Sequence, residues 1–162
     1  MGVTGTGKSA VGEPVAAALG CAFAEGDAFH PQANIDKMRS GTPLTDDDRW
    51  PWLESLADWT RGHADAGTST ALTCSALRRG YRDVLRTGAP GTFFVHLTAD
   101  PDLILQRMQA REHFMPPSLL QSQLDTLEPL EADEEGVVVD VDRPLDVLVT
   151  ELTEMFRNDD SS

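Results

Sequence analysis

Apolar runs and amphipathic stretches alternate along the chain, and this alternation predicts its secondary structure. Short runs rich in β-branched and aromatic residues predict strands at Cys21–Ala24, Thr70–Cys74, Thr92–Thr98 and Gly136–Val141. Helical periodicity between them predicts helices at Lys8–Leu19, Pro31–Ser40, Asp46–Ala66, Ala76–Arg86, Pro101–Arg111, Pro117–Thr126 and Pro144–Arg157. Strands separated by helices need crossover connections, which favour a parallel sheet with helices on both faces. The pattern predicts one α/β domain over residues 1–162, with a disordered polar tail at 158–162.

Charge and composition narrow the range of partners. The 162 residues include 13 Lys and Arg against 27 Asp and Glu, so the formal net charge is -14. This excess of negative charge repels phosphate backbones and anionic lipids, so neither nucleic acid nor a membrane is an expected partner. Cys21 and Cys74 lie in apolar runs without metal-ligand spacing. We therefore expect reduced, buried thiols and a cytoplasmic location.

Residues 2–9 read GVTGTGKS and match the phosphate-binding pattern GxxxxGK[ST] at every fixed position. Glycines let the backbone curl so that its N–H groups point at phosphate oxygens, and the following helix adds its positive end. In such a loop Lys8 would reach the β- and γ-phosphates, and the Ser9 hydroxyl would coordinate Mg²⁺. The motif predicts a three-layer P-loop nucleoside triphosphate hydrolase fold that binds a nucleotide and Mg²⁺ through Gly2, Val3, Thr4, Gly5, Thr6, Gly7, Lys8 and Ser9.

A P-loop follows a buried strand, whereas in this sequence Met1 alone precedes the motif. Burying three or four aliphatic side chains of such a strand contributes about 5–12 kcal/mol, at about 1.5–3 kcal/mol each. That contribution rivals the net stability of a domain, about 5–15 kcal/mol. We therefore expect that the natural product begins upstream, and that this chain by itself folds poorly and holds nucleotide weakly.

A second polar block, EGDAFHPQANIDKMRSGTPLTDDDRWPWL at residues 25–53, lies where an acceptor should meet the γ-phosphate, beyond the carboxyl end of a strand. It resembles the signature of the P-loop gluconokinases, GD-x-x-HP-x-x-N-x-x-KM followed by G-x-PL-x-D-x-DR-x-PWL. The stretches CSALRRGYRDVL (74–85) and HFMPPSLLQSQLDTLEP (113–129) resemble two further blocks of that family. Three features depart from the family pattern: Arg78 replaces a lysine, Glu25 replaces a frequent aspartate, and one glycine is absent before His113.

The resemblance implies a shikimate- and nucleotide-kinase-like fold with a lid near residues 107–128. It also implies a gluconokinase, an enzyme that transfers phosphate from ATP to the 6-hydroxyl of D-gluconate in carbohydrate metabolism. Family members are often dimers, so a homodimer is implied too, although the sequence shows no interface. Two alternatives stay open. One is another small-alcohol kinase of the same fold, acting on shikimate for example, and the other is a truncated nucleotide-binding protein without activity.

Phosphoryl transfer to an alcohol needs a carboxylate near the hydroxyl and cations around the transferring group. Asp27, at the end of a strand, is the expected catalytic carboxylate, and Glu25 would hold a Mg²⁺-bound water. The alternative for both acids is a helix cap or an ordinary loop position. Arg107 and Arg111 lie four residues apart on one helix face, so in a lid they would close over the phosphate. The alternative for these arginines is a solvated helix face.

Gluconate carries one carboxylate and five hydroxyls, so its site needs guanidinium groups and several hydrogen-bonding side chains. Arg49, Arg78 and Arg82 are the candidates for the carboxylate, and a surface pair with Asp83 or Glu112 is the alternative for Arg82. The candidates for the remaining substrate contacts are His30, Asn34, Lys37, Ser75, Tyr81, His113 and Gln123.

The acidic run at residues 46–48 has two interpretations, a functional cluster or a helix start. Thr45 and Asp48 have the spacing of a capping box, and acids favour the positive end of a helix. We therefore interpret the run as the beginning of a helix. The neighbouring Trp50, Trp52 and Trp59 fit packing along that helix better than stacking on a base.

Overall fold

The computed structural model describes residues 1–111 and 118–160. The strands in this part of the chain are β1 (Ala22–Glu25), β2 (Thr70–Thr73), β3 (Phe94–Thr98) and β4 (Gly136–Asp140). The helices are α1 (Lys8–Leu19), α2 (Gln32–Arg39), α3 (Asp46–Asp65), α4 (Arg79–Arg86), α5 (Pro101–Gln109), α6 (Ser118–Thr126) and α7 (Leu145–Asp159). These bounds lie within two residues of the predicted ones, except that α4 begins three residues later. A short 3-10 turn at Gly26–Phe29 was not predicted.

The described strands form two parallel pairs. In the first pair, β1 runs beside β2, with Ala22 opposite Thr70. In the second pair, β3 runs beside β4, with Phe94 opposite Gly136. The parallel direction confirms the prediction, whereas the single continuous sheet that the pattern indicated is divided within the described residues into these two pairs.

Residues 1 and 2 join the two strand pairs. The Leu97 N–H donates to the Met1 carbonyl at 2.9 Å, and the Gly2 N–H donates to the Ser75 carbonyl at 3.1 Å. The Met1 amine donates to the Val95 carbonyl at 2.6 Å. Residues 1 and 2 therefore place the loop that follows them at the carboxyl ends of both β2 and β3.

A cavity of about 530 Å³, here called the seam, separates β2 from β3. The seam is lined by residues 70–74 along β2 and residues 93–95 along β3, with α1 and α7 on one side. Neighbouring strands in a sheet lie about 4.8 Å apart. Within the described residues, β2 and β3 do not pair with each other across the seam.

Helices cover both faces of the strand pairs, and each face has its own buried core. The core under α3 and α4 contains Trp52, Leu53, Leu56, Leu77, Tyr81 and Leu85, together with Ile104 and Met108 of α5. The core on the opposite face joins α1 and α7 through Val11, Val15, Leu97, Val141, Leu148 and Leu152. This is the three-layer arrangement that the sequence predicted. Among the described residues, no helix is long and apolar enough to cross a membrane.

The ends of three helices can be explained by specific contacts or backbone angles. Thr45 and Asp48 exchange side-chain and backbone hydrogen bonds, which confirms the predicted capping box at the start of α3. Helix α4 starts late because Ala76 has a φ of 47° and cannot be helical. Helix α7 continues through Asp159, which corrects the predicted tail at positions 158 and 159. Arg157 supports this extension because it donates to the Ala18 carbonyl of α1 at 2.9 Å.

Candidate active site

The loop of residues 2–9 leads into α1. Gly5 has a φ of 81° and Gly7 a φ of 85°, a region that favours glycine. A Cβ at Gly5 would lie 2.9 Å from side-chain atoms of Ile104 and Met108, so this glycine also allows close packing against α5. Gly7 directly precedes α1, and a Cβ there would meet no atom within 4 Å. The backbone therefore has the curvature and the open helix N-terminus that an anion site requires.

Lys8 and Gln123 both contact the backbone of this loop. The Lys8 ammonium donates to the carbonyls of Gly2 and Val3, each at 3.1 Å. Burial lowers the pKa of Lys8, and Asp27 opposes that shift. The Thr4 N–H donates to Gln123 Oε1 at 2.7 Å, so the predicted site residue Gln123 of α6 does reach the loop. An anion bound in the loop would compete with Gln123 for this N–H group.

Ser9 and Glu25 lie together beside the loop, as predicted for a Mg²⁺ site. Ser9 Oγ donates to Glu25 Oε2 at 2.6 Å, and the Thr73 hydroxyl donates to the same oxygen at 3.0 Å. Hydroxyl and carboxylate oxygens are the donors that Mg²⁺ prefers, and Mg²⁺ in nucleotide sites takes one or two protein ligands together with phosphates and water. The described residues contain no cluster of three acids, His or Cys suited to a metal. Ser9 and Glu25 therefore fit a Mg²⁺ ion that phosphate also coordinates, and not a metal site made of protein ligands alone.

Gly26 determines where Asp27 lies. A Cβ at Gly26 would approach the Thr73 carbonyl oxygen to 2.0 Å, so no side chain fits where β1 ends against β2. The Trp52 indole N–H donates to the Gly26 carbonyl at 2.8 Å and holds the turn in place. Asp27 follows at the carboxyl end of β1 with its side chain 59% exposed. Its carboxylate is therefore open to a ligand.

One cavity brings several of the predicted residues together. Lys8, Asp27, His30, Arg49 and Ser75 line it, together with Thr4 and Gln123. Its other wall residues are mostly apolar, and most of them were not predicted to contact the substrate. They include Met38, Thr42, Pro43, Leu44, Leu77 and Leu119. The loop at residues 42–44 belongs to the block that resembles the gluconokinases, and this resemblance is the signal that could have identified it.

His30, Asn34 and Lys37 have different roles in this structure. His30 lines the cavity and stacks on Trp52 with ring centroids 4.0 Å apart, and burial lowers its pKa. Asn34 instead donates to the Asp48 carbonyl at 2.9 Å. Lys37 forms an ion pair with the Asp48 carboxylate at 2.8 Å. Asn34 and Lys37 thus connect α2 to the start of α3, and their contact with substrate stays a prediction.

A cationic group, here called the arginine cluster, lies beside the cavity and consists of Arg49, Arg78, Tyr81 and Asp46. Arg49 Nη1 donates to the Tyr81 hydroxyl at 3.1 Å, and the Tyr81 hydroxyl donates to Asp46 Oδ1. Arg49 also lies over the Tyr81 ring, 5.3 Å from its centroid. The Arg78 side chain is 47% exposed. Arg49 and Arg78, two of the arginines predicted to bind the substrate carboxylate, therefore lie together with Tyr81 in one partly exposed group.

The structure corrects the prediction for Arg82. Its side chain is 0% exposed, and Nε and Nη2 donate to the two oxygens of Glu134 at 2.7 and 2.9 Å. The remaining N–H groups donate to the carbonyls of Ala76, Glu128 and Pro129 at 3.0–3.1 Å. All five donors of the guanidinium are used. Arg82 has no donor left for a substrate carboxylate, and it instead fastens α4 to residues 128–134.

Asp83, one of the two alternative partners suggested for Arg82, does not pair with it. Asp83 pairs with Arg79 and Arg86, each at 2.9 Å, and Glu112 lies outside the described residues. Glu134 is 52 positions from Arg82 in the chain, so local spacing could not have identified this pair.

The two predicted lid arginines lie away from the cavity. Arg107 Nη2 donates to the Val141 carbonyl at 3.1 Å, at the end of β4. Arg111 is exposed after α5. Neither residue lines the cavity, so their closing role stays a prediction. The predicted substrate contact His113 lies outside the described residues.

The three-layer fold, the phosphate loop and the adjoining acceptor cavity together define a P-loop kinase.

The chain is 48% identical over 161 residues to the gluconokinase of Gluconobacter oxydans, covering 99% of this chain and 90% of that relative. It is 45% identical over 159 residues to the thermoresistant gluconokinase of Escherichia coli, covering 97% and 91%. A gluconokinase structure from Sinorhizobium meliloti superposes with a TM-score of 0.84 at 46% identity, covering 98% and 94%. No family model matches the chain. The chain belongs to the gluconokinase family.

Proposed function

We propose that the chain transfers the γ-phosphoryl group of ATP to the 6-hydroxyl of D-gluconate, which yields 6-phospho-D-gluconate and ADP. The observation that carries this proposal is that Lys8 of the phosphate loop, the open carboxylate of Asp27 and the guanidinium of Arg49 line one cavity. These groups supply the three parts of the reaction: phosphate binding, hydroxyl activation and recognition of an acid. Relatives named gluconokinases support the choice of acceptor.

The nucleotide end of the site is the loop at residues 2–9. Its N–H groups and the N-terminus of α1 would bind the phosphates, and Lys8 would turn from the carbonyls of Gly2 and Val3 toward the β- and γ-phosphates. Ser9 and Glu25 would hold Mg²⁺, directly and through water. Bound Mg²⁺ would neutralise charge on the β- and γ-phosphates.

Asp27 would act at the acceptor end. Its carboxylate would accept a hydrogen bond from the 6-hydroxyl and take the proton as the hydroxyl oxygen bonds to the γ-phosphorus. The bond between that phosphorus and the β,γ-bridging oxygen would break, and ADP would leave. The neutral His30 ring, 3.8 Å from Asp27, is placed to fix the orientation of the carboxylate or of a neighbouring sugar hydroxyl. Lys8 would stabilise the charge on the transferring group.

Arg49 and Arg78 would bind the carboxylate of the sugar acid. A guanidinium can donate two parallel hydrogen bonds to a carboxylate, which gives both affinity and orientation. Within the described ranges, Arg78 makes no side-chain hydrogen bond and its nearest acid lies 3.8 Å away, so its donors are available. Holding the carboxylate at this end would direct the far hydroxyl of the extended substrate toward Asp27.

We further propose that residues 1–162 act as one kinase domain with a lid near residues 107–128, and that the enzyme works in the cytoplasm. The two free thiols, Cys21 and Cys74, support a reducing compartment.

ADP release from Mg-ATP, measured with D-gluconate and separately with shikimate, tests the proposal. We expect release that depends on D-gluconate, with none above background for shikimate. Asp27→Asn should lower kcat by about 10²–10⁴-fold, the usual contribution of a general base, while nucleotide binding persists. Asp36→Asn is the control, because Asp36 lies on α2 and pairs with Gln32 outside the cavity. Nucleotide binding without gluconate-dependent release would contradict the proposal.

A further inference from the structure

A carboxylate of the protein lies within the arginine cluster that the proposed function assigns to the carboxylate of the substrate. Asp46 is the first residue of α3, and its oxygens lie 3.7 Å from Arg49 Nη1 and 3.8 Å from Arg78 Nη1. Both distances exceed the about 2.7–2.9 Å of a close charge-assisted hydrogen bond. The closest contact of Asp46 is instead with the Tyr81 hydroxyl. Asp46 is therefore near enough to offset the arginine charges without using up their donors.

The charges of the cluster can be counted. Two arginines and one aspartate leave one net positive charge, which matches the single negative charge of a monocarboxylate. Within residues 1–111 and 118–160, neither Arg49 nor Arg78 forms an ion pair with another acid. Without Asp46, an incoming carboxylate would meet two uncompensated guanidinium groups. The phosphorylated product carries the same carboxylate and would be held equally.

We propose that Asp46 is a specificity-determining residue. Its negative charge reduces the arginine cluster to one net positive charge. The carboxylate of substrate and product is therefore bound weakly enough for turnover. This inference rests on the proposed function. Interactions that hold substrate and transition state equally lower KM without raising kcat, so an internal acid that moderates them favours rapid exchange of ligands.

Asp46→Asn is the direct test, because asparagine keeps the size of the side chain and an oxygen that accepts from Tyr81 while removing the charge. We expect KM for D-gluconate to fall about three- to fivefold, in line with the loss of a partly exposed charge pair. KM for D-gluconamide, the uncharged amide of the same acid, should stay within about 1.5-fold of the wild-type value. Inhibition by 6-phospho-D-gluconate should strengthen by about the same three- to fivefold.

Asp47→Asn is the matched control. Asp47 lies in the same first turn of α3, is exposed, and lies outside the cluster. Its replacement removes the same charge from the same helix end, so it reports the effects of net charge and of the helix dipole alone. Only Asp46→Asn should change the preference for the acid over its amide.

Tyr81 gives a readout that requires no enzyme activity, because it is the one tyrosine in the chain. Burial raises the pKa of Tyr81, and its hydrogen bond to Asp46 raises that pKa further. An alkaline titration followed by ultraviolet absorbance should therefore give a lower phenol pKa in Asp46→Asn than in the wild type. Asp47→Asn should leave it unchanged.

The outcomes separate this inference from the proposed function. If the wild-type chain turns over no D-gluconate, the proposed function fails and this inference fails with it. If D-gluconate is turned over but both variants change acid preference equally, the inference alone is overturned. An unchanged Tyr81 pKa in Asp46→Asn overturns it as well, because Asp46 would then not contact the cluster in solution.

Discussion

Arg78 and Arg82 are one helical turn apart at the start of α4, yet their environments are opposite. Arg82 is 0% exposed, and its five donors bind Glu134 and three backbone carbonyls. Arg78 is 47% exposed, and its nearest acid lies 3.8 Å away. The same guanidinium group is therefore a buried structural link at Arg82 and a partly exposed cation at Arg78. Burial and the number of unused donors distinguish these roles, whereas residue type does not.

Replacing Glu134, the carboxylate partner of Arg82, tests the structural role. Glu134→Ala would leave the buried Arg82 charge without its carboxylate, and losing one partner of a buried pair costs about 3–5 kcal/mol. We expect the free energy of unfolding, measured with urea, to fall by that amount. Glu131→Ala is the control, because Glu131 pairs with Arg79 at a side chain that is 59% exposed, and such exposed pairs contribute about 0–1 kcal/mol. Equal losses in the two variants would contradict the distinction.

Replacing Arg49, which belongs to the same arginine cluster as Arg78, tests the ligand-binding role. Arg49→Gln should lower kcat/KM for D-gluconate by about 10- to 100-fold, which corresponds to one charge-assisted hydrogen bond of about 1.5–3 kcal/mol. The KM for ATP should change little, because Arg49 lies at the acceptor end. Arg61→Gln, which removes an exposed arginine paired with Asp58, should retain full kcat/KM. A loss confined to the KM for ATP would show that Arg49 serves the nucleotide instead.

His96 gives a smaller test on the buried side of this comparison, because the charge of Arg82 adds to the shift that burial causes in the pKa of His96. Burial lowers the pKa of His96 to about 4, and the N-terminal amine and Arg82 add to that shift. The folded-state pKa lies below the unfolded value of about 6.5, so the stability from neutral His96 is present at pH 7 and is lost as pH falls toward 4. Between pH 7 and pH 5 this loss is about 2 kcal/mol.

His96→Gln should remove that part of the pH dependence. The difference in unfolding free energy between pH 7 and pH 5 should be smaller in the variant by about 2 kcal/mol, as measured by urea denaturation at both pH values. An identical pH dependence in wild type and variant would show that His96 does not remain neutral in the folded protein.

Sequence reasoning succeeded where the causes are local. The glycines and Lys8 of the phosphate loop, the capping box of Thr45 and Asp48, and the periodicity of the helices all depend on residues a few positions apart. The resemblance to the gluconokinases also pointed to four residues that line the cavity, His30, Arg49, Ser75 and Gln123.

The same reasoning failed where the cause is tertiary. Arg78 and Arg82 cannot be distinguished by spacing, because the partner that buries Arg82 lies 52 positions away. The late start of α4 depends on the φ of Ala76, whose carbonyl accepts from Arg82. The division of the strands into two pairs is likewise a property of packing, since each strand pattern is unremarkable by itself.

The seam between β2 and β3 also determines how the molecule should respond to compression. Unfolding eliminates internal void volume, so hydrostatic pressure favours states in which such a void is filled with water. The residues of the two cores are buried, whereas the seam has about 530 Å³ of space between strand edges and reaches exposed residues such as Asp159. Compression should therefore drive water further between β2 and β3 and part the two strand pairs before it opens the two buried cores.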